Sequence, residues 1–214
     1  MDLVAWLTKR GHRVSVGHSG ATYEQGLDAI AAGARQATHL FNCMPALHHR
    51  TPTLPAAILD SEQVAAELIC DGFHVHPAVV RMAIRAKGSS RIMAITDGTA
   101  ASGLPEGARA RLGGQIIAVG ESGAFLADGT RAGGVMTMDR MLRALVTQVG
   151  VPLREAVTMC STTPARELGL AGQGLVAEGA AADLVVLDSQ LRVAETYVAG
   201  RLVYSRNTSL KESV

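Results

Sequence analysis

The chain has 214 residues, enough for one large domain or about two small ones. It is 48% hydrophobic and 18% charged, which excludes a disordered chain, and its net charge of +1 leaves no electrostatic footprint for nucleic acid or an anionic membrane. Aromatics are only 3%, so the core must be built from Ala, Val, Leu, Ile and Met. Three widely spaced cysteines (Cys43, Cys70, Cys160) make no disulfide framework and suit a reducing compartment. No apolar run reaches the ~20 residues of a membrane helix, and the acidic Met1-Asp2 start is unlike a signal peptide. The expectation is a cytoplasmic protein.

The predicted elements alternate. Asp2–Arg10 reads as a helix closed by Gly11, and Arg13–Gly17 as a short strand. Tyr23, Leu27, Ile30 and Ala31 recur at helical spacing within Thr22–Gly33. Ala37–Phe41 is strand-like, Pro52–Asp60 a turn and short helix, Val64–Cys70 a strand and Pro77–Lys87 a helix stopped by Gly88. Arg91–Thr96 is a fourth apolar strand. Apolar strands separated by helices predict a parallel sheet in an α/β fold.

Beyond Asp97 the pattern changes. Leu112–Leu126 alternates about two glycine turns and predicts a β-hairpin. Met136–Val149 and Leu153–Leu168 read as helices, the second opened by Pro152. Residues 182–188, 193–198 and 200–204 read as strands, and the polar stretch from Asn207 to Val214 as a frayed end.

Polar residues cluster after each of the first four strands: His18, then His39 and Asn42, then Asp71 and His74, then Asp97. The C-terminal strand ends of parallel α/β folds carry the chemistry. Two imidazoles on neighbouring strands, ~4.8 Å apart, can meet on one divalent ion, zinc or iron. A lone histidine is more often a hydrogen-bonded structural residue; the ordered series is what shifts the weight. Asp97 is placed to accept and return a proton beside such an ion. Asp97-Gly98 alone would read as a turn.

Arg50 could hold an anion through bidentate hydrogen bonds, whereas His48 and His49 read as solvated loop residues. His74-Val75-His76 could be a second metal site, but a substrate-binding His74 with a bystander His76 is the preferred reading. Cys43 reads better as a small buried thiol than as a nucleophile.

Four motifs in this order, Gly17-His18-Ser19-Gly20-Ala21-Thr22, Ala37-Thr38-His39-Leu40-Phe41-Asn42-Cys43-Met44, Asp71-Gly72-Phe73-His74 and Ile95-Thr96-Asp97, resemble the N-acetylglucosamine-6-phosphate deacetylase family of the amidohydrolase superfamily. The likeness runs from about Gly11 to Tyr204, with residues 182–188 and 198–204 resembling the superfamily's closing strands.

The resemblance implies the C-terminal half of a (β/α)₈ barrel over residues 1–170 (barrel strands five to eight), with the hairpin as an insertion. Residues 171–214 would be a segment of a small β-sandwich. It implies that His18 and His39 bind the divalent metal and that Asp97 is general base and then acid. Asn42 and the Cys43 backbone would contact the sugar phosphate, with Arg50 and His74 as further contacts at the phosphate. Arg131, Ala132 and Gly133 would lie along the substrate. The partner would be a phosphorylated amino sugar, and the complete protein a homodimer with Arg50 and His74 reaching across its interface.

The family's third metal ligand, an upstream glutamate, has no counterpart here, and Glu24 sits inside a helix. The chain is therefore expected to bind metal poorly, to turn over little substrate, and to aggregate or oligomerise through two open sheet edges. Rival expectations are an amidohydrolase acting on another N-acetyl amino sugar or a cyclic amide, and a non-catalytic remnant.

Overall fold

A computed structural model of the chain describes residues 2–207. The first half is a succession of βα units. Its parallel sheet has four strands in the order β1-β2-β3-β4: β1 Ser15–Val16, β2 Gln36–Ala37, β3 Ala65–Ile69 and β4 Ile92–Ile95. Register runs Val16 to Ala37, Ala37 to Ala66 and Ala66 to Ile92, so β3 and β4 extend further than their neighbours.

The helices are α1 Asp2–Lys9, α2 Tyr23–Ala31, α3 Leu54–Asp60 and α4 Pro77–Lys87. Thr22 starts α2 through a reciprocal capping box with Gln25. Gly88, at φ 77°, ends α4. β3 is buried on both faces except at Glu67, as expected of a strand covered by helices. The main core gathers Leu40, Leu54, Ile58, Leu68, Ile69, Val80 and Ile92 with Met141, Leu145 and Met159 from later helices.

Four elements differ from the sequence expectation. The strand expected over 37–41 stops at Ala37, because His39 and Phe41 take positive φ and turn the chain out of the sheet. The hairpin expected over Leu112–Leu126 is a three-stranded antiparallel sheet of β5 Arg109–Leu112, β6 Gln115–Gly120 and β7 Gly123–Phe125. The two glycine turns are where they were expected, but the polar run Arg109–Arg111 hid its first strand. Its small core is Ala101, Ile117, Val119 and Ala124.

The two late helices are each interrupted by a π turn. α5 Met138–Ala144 runs into a π turn at Leu145–Val149 and stops at Gly150, φ 80°. α6 Leu153–Val157 is joined to α7 Thr163–Leu168 by a π turn at Thr158–Thr162. Pro164 has no N–H for the carbonyl four residues back, and its ring crowds that carbonyl; widening the preceding turn relieves both.

The chain ends in a second antiparallel sheet, β10-β9-β8, of β8 Leu184–Leu187, β9 Val193–Val198 and β10 Arg201–Ser205. The polar end from Thr208 lies outside the described residues. Among the described residues no helix is long and apolar enough to cross a membrane.

Candidate active site

Each parallel strand delivers a polar side chain two residues past its last residue. His18 follows Val16, His39 follows Ala37, Asp71 follows Ile69 and Asp97 follows Ile95. Three of these four leave the strand in the left-handed region, His18 at φ 44°, His39 at 29° and Asp97 at 49°. That conformation costs an L-residue roughly 1–2 kcal/mol. Its recurrence at three successive strand ends marks a shared constraint rather than three unrelated turns.

The His18 and His39 rings meet edge to face with centroids 4.6 Å apart. His39 is buried, and its Nδ1 has no hydrogen-bond partner among the described residues. A buried unpaired imidazole nitrogen costs about 1–3 kcal/mol, which an ion or a donor would recover. Two converging imidazoles, one with an orphaned nitrogen, fit a divalent cation. Among the described residues no group of three His, Cys, Asp or Glu could hold an ion.

Glu67 is a residue that sequence reasoning passed over. It stands inside β3, and its carboxylate accepts a hydrogen bond from the His39 backbone N–H at 3.4 Å. Burial pushes its carboxyl above the usual range; the His39 hydrogen bond opposes this and the nearby Asp97 charge adds to it. The available signal was a carboxylate within the apolar run Val64–Cys70, out of place in a parallel strand unless it faces polar company.

Asp97 is fixed from the other side by residues 131–134. The Gly134 N–H donates to the Asp97 carbonyl at 2.8 Å, and Gly98 bridges Gly134. A Cβ on Gly133 would lie 2.8 Å from the Asp97 carbonyl oxygen, and one on Gly134 only 2.0 Å from that of Thr96. Gly133 and Ala132 in turn pair with Ala124 of β7, so this segment staples the three-stranded sheet to the end of β4. The Arg131 guanidinium is engaged elsewhere: it donates to the Ser122 carbonyl and hydroxyl and lies over the Phe125 ring at 4.9 Å.

The remaining expected contacts spread along the loops. The Asn42 side-chain amide donates to the carbonyls of His39 (3.3 Å) and Leu40 (3.4 Å), which ties it to the turn that aims His39. Cys43 is exposed at φ 52° and not buried as expected. Arg50 is exposed in the loop before α3. That loop is pinned by His48, whose Nδ1 accepts from the N–H groups of Arg50 and Thr51. His74 is held by Asp71, with Nδ1 2.6 Å from the carboxylate. His76 serves α4 by accepting from the Ala78 N–H.

The model of the amidohydrolase family matches residues 9–203. The chain belongs to the amidohydrolase family. It is similar to deacetylases of phosphorylated amino sugars within that family. It is 42% identical over 207 residues to an N-acetylglucosamine-6-phosphate deacetylase of Lysinibacillus sphaericus, which covers 97% of this chain and 53% of that protein. It is 37% identical to an N-acetylgalactosamine-6-phosphate deacetylase of Escherichia coli O157:H7, over 94% of this chain and 53% of that one. Among solved structures, a variant N-acetyl-D-glucosamine-6-phosphate deacetylase of Mycobacterium smegmatis, in complex with N-acetyl-D-glucosamine-6-phosphate, superposes with a TM-score of 0.90 at 40% identity. That match covers 95% of this chain and 54% of that structure. The chain thus spans about half the length of the amidohydrolases it matches.

Proposed function

We propose that this chain carries the metal-binding histidines and the proton-transfer aspartate of an N-acetylglucosamine-6-phosphate deacetylase, hydrolysing the acetamide to glucosamine 6-phosphate and acetate in amino-sugar catabolism. The observation that carries the reading is the convergence of His18 and His39 at matching left-handed strand ends, in one series with Asp97. In this reading residues 1–170 are the second half of a (β/α)₈ barrel and 171–214 belong to a small β-sandwich. Among the described residues β1 has no strand on its other side, which supports the reading, and a groove of about 560 Å³ beside it is lined by Val4, Val16, Ala29 and Leu54 among others. A further parallel strand would seat there.

His18 and His39 would hold a divalent ion, zinc or iron. When bound, such an ion acidifies water and polarises the acetyl carbonyl. Asp97 accepts the proton of the attacking water and delivers it to the leaving amine. Glu67 sits beside this path and accepts from the His39 backbone N–H, which helps to hold the turn that aims His39. Asn42 holds the His39 turn and the Cys43 backbone faces the sugar phosphate. Gly133 and Ala132 line the substrate beside Asp97, and Arg131 reaches it only by leaving Ser122. Arg50, on its exposed loop, takes the phosphate across the interface of a homodimer.

With two imidazoles where three protein ligands are usual, the 214-residue chain alone binds metal weakly and turns over little substrate. The test is a hybrid in which this chain replaces the matching half of the Lysinibacillus sphaericus deacetylase. A folded hybrid should release acetate from N-acetylglucosamine 6-phosphate, and Asp97→Asn should abolish turnover while metal content is retained. A folded, metal-loaded hybrid whose rate survives Asp97→Asn would exclude the role. The similarity to N-acetylgalactosamine-6-phosphate deacetylases supports a second reading, in which the C4 epimer is the substrate. Assaying both epimers with the same hybrid separates the two.

A further inference from the structure

The two strands that carry His18 and His39 come closer at their ends than two side chains would allow. β1 and β2 pair over only two residues each, Ser15 with Gln36 and Val16 with Ala37. A last ladder bond then runs from the Thr38 N–H to the Val16 carbonyl at 2.9 Å. Gly17 and Thr38 follow, each immediately before a histidine. A Cβ on Gly17 would lie 2.9 Å from the Thr38 Cβ and 3.3 Å from the Thr38 carbonyl oxygen. No rotamer change moves either atom. Gly17 is not among the glycines with positive φ, so close approach, and not backbone conformation, calls for glycine here. Thr38 is in turn tied to β1, because its Oγ1 and the Ser15 Oγ share a hydrogen bond of 2.7 Å. Ser15 and Gly17 fall on one face of β1 by the two-residue alternation of a strand. The Thr38 side chain therefore lies across the place where a side chain of residue 17 would stand.

We propose that Gly17, Thr38 and Ser15 are positioning residues: they draw the ends of β1 and β2 together so that the imidazoles of His18 and His39 can share one divalent ion. The proposal rests on the metal-binding reading of those two histidines; the spacing itself does not. The rings meet with centroids 4.6 Å apart. Two nitrogens on one tetrahedral zinc, each ~2.0–2.1 Å from it, stand roughly 3.3 Å from one another. A working site keeps its ligand distances within about 0.2 Å. Carbon atoms in ordinary contact are about 3.5–4.0 Å apart, so an alanine side chain at position 17 would need the strand ends to part by about 0.6–1 Å. That displacement is several times the tolerance of the ion. It falls on the two residues bonded directly to His18 and His39, with no intervening loop to absorb it.

The experiment is a zinc titration of the intact chain followed by NMR of its histidine side chains at pH 8, with the two rings assigned by His18→Gln and His39→Gln. In the wild type the His18 and His39 signals should shift together with one affinity. Ser15→Ala, which releases Thr38 without adding a clash, should weaken that affinity about two- to tenfold. Gly17→Ala should weaken it by about 10–100-fold. Adding Thr38→Gly to Gly17→Ala removes the opposing Cβ and should bring the affinity back to the level of Ser15→Ala. A merely structural role would show no such recovery, because the second substitution by itself loosens the strand. A folded Gly17→Ala chain that keeps wild-type affinity overturns the proposal. If Gly17→Ala does not fold, Ser15→Ala decides, and wild-type affinity there overturns it. Without metal, the nuclear Overhauser effect between the two rings should be present in the wild type and weakened in Gly17→Ala. An unchanged ring contact in a folded Gly17→Ala chain overturns the positioning role alone. Wild-type rings that are in contact but unmoved by zinc overturn the metal-binding reading.

Discussion

Replacing Gly134 by alanine puts the attachment of Asp97 to a direct test. The new Cβ would sit 2.0 Å from the Thr96 carbonyl oxygen and 3.2 Å from its carbon, both backbone atoms that no rotamer change can move aside. The 131–134 segment must retreat by about 1 Å or more to reach ordinary contact distance, which stretches the 2.8 Å hydrogen bond from Gly134 to Asp97 beyond useful length. Losing that bond in a closed site costs about 1–3 kcal/mol, and the forced backbone shift a similar amount. The glycine-to-alanine change itself returns about 0.4–1 kcal/mol by restricting the unfolded chain. The net expectation is a loss of about 2–4 kcal/mol. Gly114 is the control, because a Cβ there meets nothing within 4 Å and its φ is not positive. Gly114→Ala should be neutral or slightly stabilising. Urea denaturation followed by circular dichroism reads both. A Gly134→Ala protein within 0.5 kcal/mol of Gly114→Ala (about the scatter of surface substitutions) would refute the close approach and the stapling of Asp97 built on it.

Three other expectations follow from single sites. Burial pushes the Lys87 ammonium down to about 8, while its Nζ donates to the carbonyls of Ile58 and Ser61 at the end of α3. Between about pH 8 and the ordinary lysine value the unfolded chain holds more protons, so this group makes stability rise with pH there, by ~3 kcal/mol at most. Lys87→Met should lack the rise, so the difference between wild type and Lys87→Met should carry it in denaturation at stepped pH. At His18, held at φ 44°, glycine should leave stability within about 1 kcal/mol of wild type, and valine should cost about 1–2 kcal/mol more than glycine in the same assay. Asp188 accepts from Arg192 and Arg206 and from two backbone N–H groups, which hold its carboxyl far below the usual range. That support is present above the ordinary carboxylate pKa and is lost as acid protonates the folded form. Asp188→Asn should speed amide hydrogen exchange in β8, β9 and β10 and leave β3 and β4 unchanged.

The parallel half of the fold was legible because its signals are local. The apolar run Val64–Cys70, the helical spacing of Tyr23, Leu27, Ile30 and Ala31 in α2 and Gly88 after α4 each declare an element without help from the rest of the chain. The residues of the candidate site were legible in the same way, since His18 and Asp97 follow recognisable apolar runs and His39 lies in the strand-like run Ala37–Phe41. What escaped depends on long-range contact. Arg109–Arg111 is polar on its own and becomes a strand only against Gln115–Gly120. Ala37–Phe41 has strand composition, but the left-handed turn that aims His39 ends the strand early. Glu67 stands out in sequence as a carboxylate within an apolar run, but only the fold shows what it faces, the His39 backbone N–H. Arg131 carries a charge suited to an anion, and only the fold reveals Ser122 and Phe125 as its partners.

Locating a divalent ion in crystals of this chain soaked in zinc, by its anomalous scattering, tests the central claim most directly. The molecule supplies its own control, because His48 and His49 on the loop before α3 have ring centroids 4.6 Å apart, the same separation as His18 and His39. The account predicts zinc bound by nitrogens of both His18 and His39, with the Asp97 carboxylate facing the same ion-bearing cleft. Zinc at the His48–His49 loop, with none between His18 and His39, would contradict it.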